Sequence, residues 1–291
     1  MPFLRSLIRR DHRGRWPWCG LAAGGVVALA GVAWAQPAVP GAVPALPVER
    51  AAIAAARPGV QLPLAVSPVP PSTPARAAVV LLPGAGGGWG RWTDTGPDGR
   101  NLLVRDRAAF WRAGLQVVLM GRASDSTDLD YPDRISPSHL ADVRAVVDWV
   151  HVRWGLPVWL VGTSRGSISA AAAALSLPPG RLAGLVLSAT VTRQPRHPQA
   201  TVLALPLERL RLPVLLLHHQ ADACPVSPPQ GVAEVVARLT AAEVVEPRWV
   251  QGGGPPQGGS CEAMHFHGLV GQGDAALNAL ALRMLALTPA P

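Results

Sequence analysis

The chain contains no lysine, so all 26 basic residues behind its formal net charge of +8 are arginines. Five of these arginines lie within the first 15 positions, and the rest of the chain holds 21 arginines, 17 acidic residues and a net charge of +4. The arginines are dispersed along the sequence, whereas a nucleic-acid-binding surface needs clustered basic side chains. We therefore expect no nucleic-acid partner.

The chain also lacks two kinds of binding motif. A glycine-rich loop at Pro83–Gly88 follows a hydrophobic segment, but it is not followed by the Lys-Ser/Thr pair that ends a phosphate-binding loop. The histidines, cysteines and acidic residues do not have the spacing of metal ligands. We expect neither a metal ion nor a cofactor.

Long hydrophobic segments are scarce, and the clearest is an uncharged, mostly apolar segment at Cys19–Val32. It follows the arginine-rich start and precedes the small-x-small site Ala33-Trp34-Ala35, a combination typical of a secretory signal peptide. We predict a signal peptide at 1–35 and a periplasmic or secreted mature protein with no stable membrane span. The alternative is an uncleaved signal that anchors the chain in a membrane.

The chain has few cysteines, and removal of residues 1–35 would leave two, Cys224 and Cys261. An even number of cysteines in an oxidising compartment favours a disulfide between them. The alternative interpretation is a pair of buried free thiols.

Two kinds of hydrophobic segment alternate along the chain after residue 60. Short, continuously apolar segments predict buried strands, and longer segments with apolar residues at helical spacing predict helices. The predicted strands are 60–66, 77–82, 117–120, 158–161, 185–187, 214–217 and 244–250, and the predicted helices are 102–113, 137–154, a segment after Gly166, 231–241 and 275–287. This alternation predicts an α/β fold with a mostly parallel central sheet and helices on both faces. Residues 60–291 form one predicted domain, preceded by an extended lead-in at 36–59.

The most informative motif is Gly162-Thr163-Ser164-Arg165-Gly166, which lies between a predicted strand and an alanine-rich helix. Gly-x-Ser-x-Gly in this context is the layout of a nucleophile elbow, a strained turn that exposes its serine. The two glycines leave room where side chains would collide, and they tolerate unusual backbone angles. Ser164 is therefore the candidate nucleophile.

A serine hydroxyl becomes an effective nucleophile only beside a general base, which a third group must orient. Later loops supply both groups, because Asp222 follows one predicted strand and His265 and His267 follow the next. The order Ser, Asp, His, each after its own strand, is that of the α/β-hydrolase fold. In this order and in the elbow, residues 60–291 resemble the α/β-hydrolase superfamily.

The resemblance implies Asp222 as the acid, in the loop after its strand. It also implies His267 as the base, because a His-Gly pair near the last helix is similar to the superfamily's histidine position. His265 is the rival base, and Asp274 and Glu262 are weaker candidates for the acid. A bridge between the two cysteines would then join the loop of the acid to the loop of the base.

An acyl-transfer site also needs hydrogen-bond donors for the oxyanion that develops in the reaction. The first expected donor is the backbone amide of Arg165, directly after the nucleophile. The loop Pro83–Gly86 is similar to the superfamily's His-Gly-x-Gly loop, which implies the amide of Ala85 as second donor, with Gly86 as the alternative. The chain departs from that pattern because Pro83 replaces the histidine.

These features predict an exported serine hydrolase that acts on small-molecule carboxylic esters. A serine peptidase or an acyltransferase would use the same residues, and a non-catalytic binding protein on this fold is the alternative from another class.

The segment 190–210 is short, which predicts a small or absent lid. The side chain of Arg165 could attract an anionic substrate or form a salt bridge with an acid such as Asp125. The sequence indicates no particular oligomeric state.

Overall fold

One eight-stranded sheet organises the described part of the chain, residues 45–72 and 74–289 of a computed structural model. Its strands are β1 (Glu49–Ala54), β2 (Gln61–Ser67), β3 (Ala78–Leu82), β6 (Gln116–Met120), β7 (Val158–Thr163), β8 (Gly184–Ser188), β9 (Val214–His219) and β10 (Val245–Val250), and a separate hairpin is formed by β4 (Trp92–Thr93) and β5 (Gly96–Pro97). The strand order is β1-β2-β6-β3-β7-β8-β9-β10. The pairs β1–β2 and β2–β6 are antiparallel and the remaining pairs are parallel, so the prediction of a mostly parallel sheet is confirmed.

The two faces of this sheet belong to two separate hydrophobic cores. Val80 and Val118 contribute to one core, and their chain neighbours Val79 and Val117 contribute to the other, as the alternation of side chains along a strand requires. The first core is covered by α3 (Pro137–Trp154), α4 (Arg165–Ser176) and α5 (Gln230–Arg238), and the second by α1 (Leu102–Arg105), α2 (Ala108–Arg112) and α6 (Gly273–Leu287). Helices therefore lie on both faces, as predicted.

Strand β1 corrects the interpretation of residues 36–59 as an extended lead-in outside the sheet. It pairs with β2 in antiparallel register, from Glu49 opposite Val66 to Ala54 opposite Gln61. Its residues are exposed or half-buried, which is normal for a strand at the edge of a sheet. The continuous apolar character that marks the central strands is therefore missing here. The predicted signal peptide at 1–35 lies outside the described residues.

The helix predicted at 102–113 is two short helices, because Arg107 interrupts it. The guanidinium of Arg107 is buried and donates to the carbonyl oxygens of Val104 and Pro97. In a continuous helix the Val104 carbonyl would instead accept the amide of Ala108. A tertiary contact that involves the hairpin β4–β5 therefore ends α1, and hydrophobic periodicity contains no sign of it.

Helix α3 has the ends that its sequence predicts. The hydroxyl of Ser136 accepts a hydrogen bond from the amide of His139 at 3.3 Å, and Pro137 occupies the first helical position. Gly155 ends the helix in the left-handed conformation, with φ of 65°. Within the described residues, no helix is both long enough and apolar enough to cross a membrane.

His139, in the first turn of α3, is a buried histidine that joins α3 to α4. Its Nε2 lies 2.8 Å from Oγ of Ser169. Burial, reinforced by the guanidinium groups of Arg134 and Arg57, lowers the pKa of His139 to about 3. The ring is therefore neutral at neutral pH.

We predict that His139 makes the fold sensitive to acid. In the unfolded chain a histidine binds a proton below about pH 6.5, whereas folded His139 does so only near pH 3. The contribution of His139 to the free energy of unfolding is therefore complete above about pH 6.5 and is lost as the pH falls toward 3. Replacement by glutamine should reduce the loss of unfolding free energy between pH 7 and pH 4.5 by about 2–3 kcal/mol. Urea titrations at both pH values measure this. An equal loss in His139→Gln and in a control, His197→Gln, would contradict the prediction.

Candidate active site

Ser164 lies on a sharp turn between β7 and α4, with φ of 52° and ψ of −128°, a backbone conformation that residues other than glycine rarely adopt. A Cβ on Gly162 would lie 2.1 Å from the carbonyl oxygen of Gly166, and a Cβ on Gly166 would lie 2.1 Å from that of Leu82. Both collisions are with backbone atoms, so the turn requires both glycines. The side chain of Ser164 remains partly exposed. The turn therefore has the geometry expected of a nucleophile elbow.

Three of the predicted residues form one continuous chain of hydrogen bonds, the Ser164–His267–Asp222 chain. Oγ of Ser164 lies 2.9 Å from Nε2 of His267, and Nδ1 of the same ring lies 2.9 Å from Oδ2 of Asp222. Because an ionised carboxylate only accepts, Nδ1 carries the ring proton and Nε2 is free to accept the proton of Ser164. The arrangement can therefore perform the chemistry of a nucleophile, a general base and an orienting acid.

The sheet brings these three side chains together from distant parts of the chain. Ser164 follows β7, Asp222 follows β9, and His267 lies in a short 3-10 turn at Phe266–Gly268 beyond β10. These strands run in the same direction in one sheet, so their carboxyl ends meet at the same edge. Sites of parallel sheets are typically built at this edge.

The carboxylate of Asp222 is buried and accepts hydrogen bonds at both oxygens. Oδ1 accepts from the amide of Cys224 at 2.9 Å, and Oδ2 accepts from the hydroxyl of Ser227 at 3.3 Å. Burial alone would raise the pKa of Asp222, but hydrogen bonds from His218 and His267 outweigh burial and hold this pKa well below its usual range. The carboxylate is therefore ionised at neutral and mildly acidic pH.

Ser227 is a residue of the site that sequence reasoning missed. Its Oγ lies 3.0 Å from Nδ1 of His267 as well as 3.3 Å from Asp222, so the hydroxyl contacts both of these residues. Nε2 of His218 donates to the carbonyl oxygen of Ser227 at 3.0 Å, and this hydrogen bond holds the backbone of Ser227 in place. The only available sequence signal was the position of Ser227, five residues after the proposed acid.

The remaining candidate side chains lie outside the Ser164–His267–Asp222 chain. The ring of His265 contacts Phe266 edge-on, with centroids 5.4 Å apart, and its Nδ1 has no hydrogen-bond partner among the described residues. Asp274 and Glu262 are both exposed. Within 45–72 and 74–289, no three His, Cys, Asp or Glu side chains are grouped as metal ligands.

The predicted oxyanion donors lie on either side of Ser164. Arg165 is the first residue of α4, so its amide has no acceptor within the helix and lies at the positive end of the helix dipole. A Cβ on Gly84 would lie 2.8 Å from Cβ of Ser164, so the glycine-rich loop passes directly against the nucleophile. The amides of Ala85 and Gly86 donate to no other described residue. Both amides therefore stay candidates for the second donor.

The side chain of Arg165 is engaged in an ion pair. It binds Asp130 at 3.1 Å and lies over the ring of Tyr131, 5.0 Å from the centroid. The salt bridge expected as an alternative is thus present, but its partner is not Asp125, which binds Arg57 at 2.8 Å. Asp130 balances much of the charge that an anionic substrate would otherwise meet here.

No protein-family model and no curated protein matches the sequence, whereas solved structures do. The chain is similar to an α/β serine hydrolase homologue from Coxiella burnetii, with 20% identity and a TM-score of 0.56 over 81% of this chain and 96% of that one. An α/β serine hydrolase without lid from Xanthomonas campestris has 21% identity and a TM-score of 0.51 over 86% of this chain and 100% of that one. A cold-adapted esterase from an Arctic intertidal metagenomic library has 14% identity and a TM-score of 0.53 over 82% of this chain and 94% of that one.

The chain has the α/β-hydrolase fold. In this α/β-hydrolase fold the segment between β8 and β9 contains only two 3-10 turns, Val202–Ala204 and Leu207–Arg209. Val202, Leu207 and Leu210 are buried in the core, so the segment packs against the domain and leaves no helix above the site. The prediction of a small or absent lid is confirmed.

A disulfide links Cys224 and Cys261, with their Cα atoms 4.6 Å apart. In this α/β-hydrolase fold it joins the loop of Asp222, after β9, to the loop that leads from β10 to His267. The amide of Cys224 also donates to the Asp222 carboxylate. The bridge therefore connects the loops of Asp222 and His267 beside the candidate site.

We predict that the double variant Cys224→Ser/Cys261→Ser is less stable than the wild type by about 2–4 kcal/mol, because the bridge restricts the unfolded chain. The melting temperature should fall by about 5–15 °C. Thermal unfolding with and without dithiothreitol measures this, and the reductant should lower the melting temperature of the wild type but not that of the variant. Equal melting of all samples would show that the bridge contributes no stability.

Proposed function

We propose that the chain is a serine hydrolase that cleaves carboxylic esters, with Ser164 as nucleophile, His267 as general base and Asp222 as the acid that orients it. The observation that carries this proposal is the Ser164–His267–Asp222 chain, with 2.9 Å at each step, ending on a strained turn. A turn serine with a purely structural role needs neither a backbone outlier nor a buried His–Asp pair aligned with its hydroxyl.

In the proposed reaction, His267 takes the proton of Ser164 while Oγ bonds to the ester carbonyl carbon. The carbonyl oxygen becomes an oxyanion, for which the amides of Arg165 and of Ala85 or Gly86 are the proposed donors. The bond to the alcohol oxygen then breaks, and His267 gives its proton to the leaving alcohol. Water then attacks the acyl carbon while the same ring takes its proton, the bond from the acyl carbon to Oγ of Ser164 breaks, and His267 returns the proton to Oγ as the carboxylic acid leaves.

The shape of the site supports small esters as substrates. The segment between β8 and β9 packs onto the domain and, within residues 45–72 and 74–289, it leaves no helix above Ser164. One of the similar structures is described as an esterase and another as a serine hydrolase without lid. An open site of this kind favours soluble esters over long-chain lipids that must be extracted from an interface.

Labelling with a fluorophosphonate, which reacts with activated serines, tests the proposal. We expect the wild type to be labelled, Ser164→Ala to be unlabelled, and a surface-serine control, Ser138→Ala, to be labelled like the wild type. A folded wild type that does not react would contradict the proposal and favour a non-catalytic binding protein.

A substrate panel then separates the chemical alternatives. We expect hydrolysis of p-nitrophenyl acetate and butyrate, slower hydrolysis of the decanoate, and little cleavage of peptide p-nitroanilides. A preference for the anilides would indicate a peptidase. Acyl transfer to an added alcohol in excess of hydrolysis would indicate an acyltransferase.

We further propose that the protein is exported and cleaved after Ala35. The disulfide between Cys224 and Cys261 supports export, because structural disulfides persist in oxidising compartments. The protein recovered from periplasm or medium should begin at Gln36 when its N-terminus is sequenced. An intact 1–35 segment would instead indicate an uncleaved anchor.

A further inference from the structure

Arg134 is a buried arginine beside the glycine-rich loop. It lies in the 3-10 turn Pro132–Ile135, and only 1% of it is exposed. Its Nη1 donates to the carbonyl oxygen of Pro83 at 3.1 Å, and its Nη2 donates to that of Ala85 at 2.8 Å. One guanidinium therefore binds two carbonyl groups of the loop that passes against the nucleophile.

These contacts determine where the amides of the loop point, because the C=O and N–H of a trans peptide lie on opposite sides. Binding of the Pro83 oxygen directs the amide of Gly84 away from the guanidinium, and binding of the Ala85 oxygen does the same for Gly86. The peptide between them is held by a hydrogen bond from the amide of Gly87 to the Gly84 oxygen at 2.9 Å. Three consecutive peptide planes are thus held in place.

The loop needs this support because its backbone is strained. Ala85 has φ of 47°, in the left-handed region that is unfavourable for a residue with a Cβ. The hydrogen bond from Arg134 to the Ala85 oxygen stabilises this conformation. The amide of Ala85, one of the two candidates for the second oxyanion donor, belongs to this strained residue.

The charge of Arg134 is also unusual for its surroundings. Buried charges are normally paired with an opposite charge, but no carboxylate among the described residues forms an ion pair with this guanidinium. Its other acceptors are the carbonyl oxygen of Leu129 and the hydroxyl of Ser169. Burial, together with the nearby Arg165, lowers the pKa of Arg134 to about 9, and the charges of Asp128, Asp133 and Asp130 oppose this shift, so the guanidinium stays charged at neutral pH. The charge is thus held by neutral acceptors, with the carboxylates farther away than a direct ion pair.

We propose that Arg134 is a positioning residue for the oxyanion. Its hydrogen bonds to the oxygens of Pro83 and Ala85 hold the two peptides that flank the Gly84–Ala85 peptide, and they turn the amides of Gly84 and Gly86 away from its own side chain. Preorganised donors of this kind act at the point where negative charge develops in the transition state. This inference rests on the proposed function of Ser164.

The test compares two buried arginines that both donate to backbone carbonyls. Arg107 is the matched control, since it binds carbonyls of Thr95, Pro97 and Val104 and none of the loop at Pro83–Gly86. In Arg134→Met we expect kcat for ester hydrolysis to fall about 10- to 100-fold with KM within about threefold. The inhibition constant of a trifluoromethyl ketone, which forms a tetrahedral adduct with serine, should rise by a similar factor. Arg107→Met should be less stable than the wild type but should keep the wild-type kcat and inhibition constant.

Wild-type kcat and inhibitor affinity in Arg134→Met, or equal losses in Arg107→Met at a temperature where both are folded, would overturn the proposal. If Arg134→Met does not fold, Arg134→Lys takes its place, because lysine keeps the charge without the planar fork. Its kcat should fall about 3- to 30-fold at unchanged KM, and a wild-type kcat would again overturn the proposal.

Amide hydrogen exchange of residues 83–88 gives a readout that does not depend on activity. In Arg134→Met or Arg134→Lys, the amide of Gly87, which donates to the Gly84 oxygen, should exchange faster than in the wild type, and unchanged exchange overturns the proposal. Failure of the proposed function has a different signature, a folded wild type that the fluorophosphonate does not label.

Discussion

Replacement of His267 by alanine is expected to lower kcat/KM for ester hydrolysis about 10⁴-fold, whereas His265→Ala should stay within about threefold of the wild type. Only His267 lies between Ser164 and Asp222, with both ring nitrogens in hydrogen-bond contact. Without it, no group takes the proton of Ser164, and the remaining acceleration comes from substrate binding and the oxyanion donors. The two histidines are two residues apart, so each variant is the natural control for the other.

Steady-state kinetics with p-nitrophenyl butyrate and the rate of fluorophosphonate labelling measure this difference. Circular dichroism and thermal unfolding show whether both variants are folded. The opposite result, with activity lost in His265→Ala and kept in His267→Ala, would assign the base to the rival histidine. Loss in both folded variants would mean that the loop as a whole, rather than one ring, is required.

Replacement of Asp222 by asparagine is expected to lower kcat about 10³- to 10⁴-fold while the fold is retained. The amide group of asparagine would donate to Nδ1 of His267, which would move the ring proton to Nε2. A protonated Nε2 can no longer accept the proton of Ser164. The matched control is Ser227→Ala, which removes a donor to Asp222 but keeps the carboxylate, and it should cost only about 3- to 10-fold.

The wild type and Asp222→Asn should also differ in how their free energy of unfolding depends on pH. The pKa of folded Asp222 is held below its usual range, so its contribution is present above about pH 4 and is lost as the pH falls further. The stability difference between the wild type and Asp222→Asn should therefore be largest near neutral pH and shrink in acid. A kcat of Asp222→Asn within tenfold of the wild type would contradict the assignment of the acid.

The parts of the fold that were predictable are those whose physical cause lies within a short segment. Strands such as β7 and β9 are buried on both faces, so they are continuous apolar segments that can be recognised without a partner. The elbow at Ser164 was predictable for a similar reason, because a side chain in place of either of its two glycines would collide with nearby backbone atoms. The choice of Asp222 and His267 depended on the resemblance to the α/β-hydrolase superfamily, which the elbow and the order of strands and loops had indicated.

The parts that were not predictable depend on groups far away in the chain. Strand β1 has no continuous apolar pattern, and it is a strand only because β2 provides its hydrogen-bond partners. The break between α1 and α2 lies where the buried guanidinium of Arg107 donates to the carbonyl oxygen of Val104. Ser227 is recognisable only beside the side chains that it contacts, and Arg134 only beside the carbonyls that it binds.

The position of β10 has a consequence for how the protein gains activity as it folds. Ser164 and His267 are 103 residues apart in sequence, and the loop of His267 follows β10, the strand that pairs with β9 at the edge of the sheet. Contacts between such distant residues form late, because closing a long stretch of chain costs conformational entropy. The return of the proposed hydrolase activity during refolding should therefore report the docking of the last strand and should lag behind signals from the central strands.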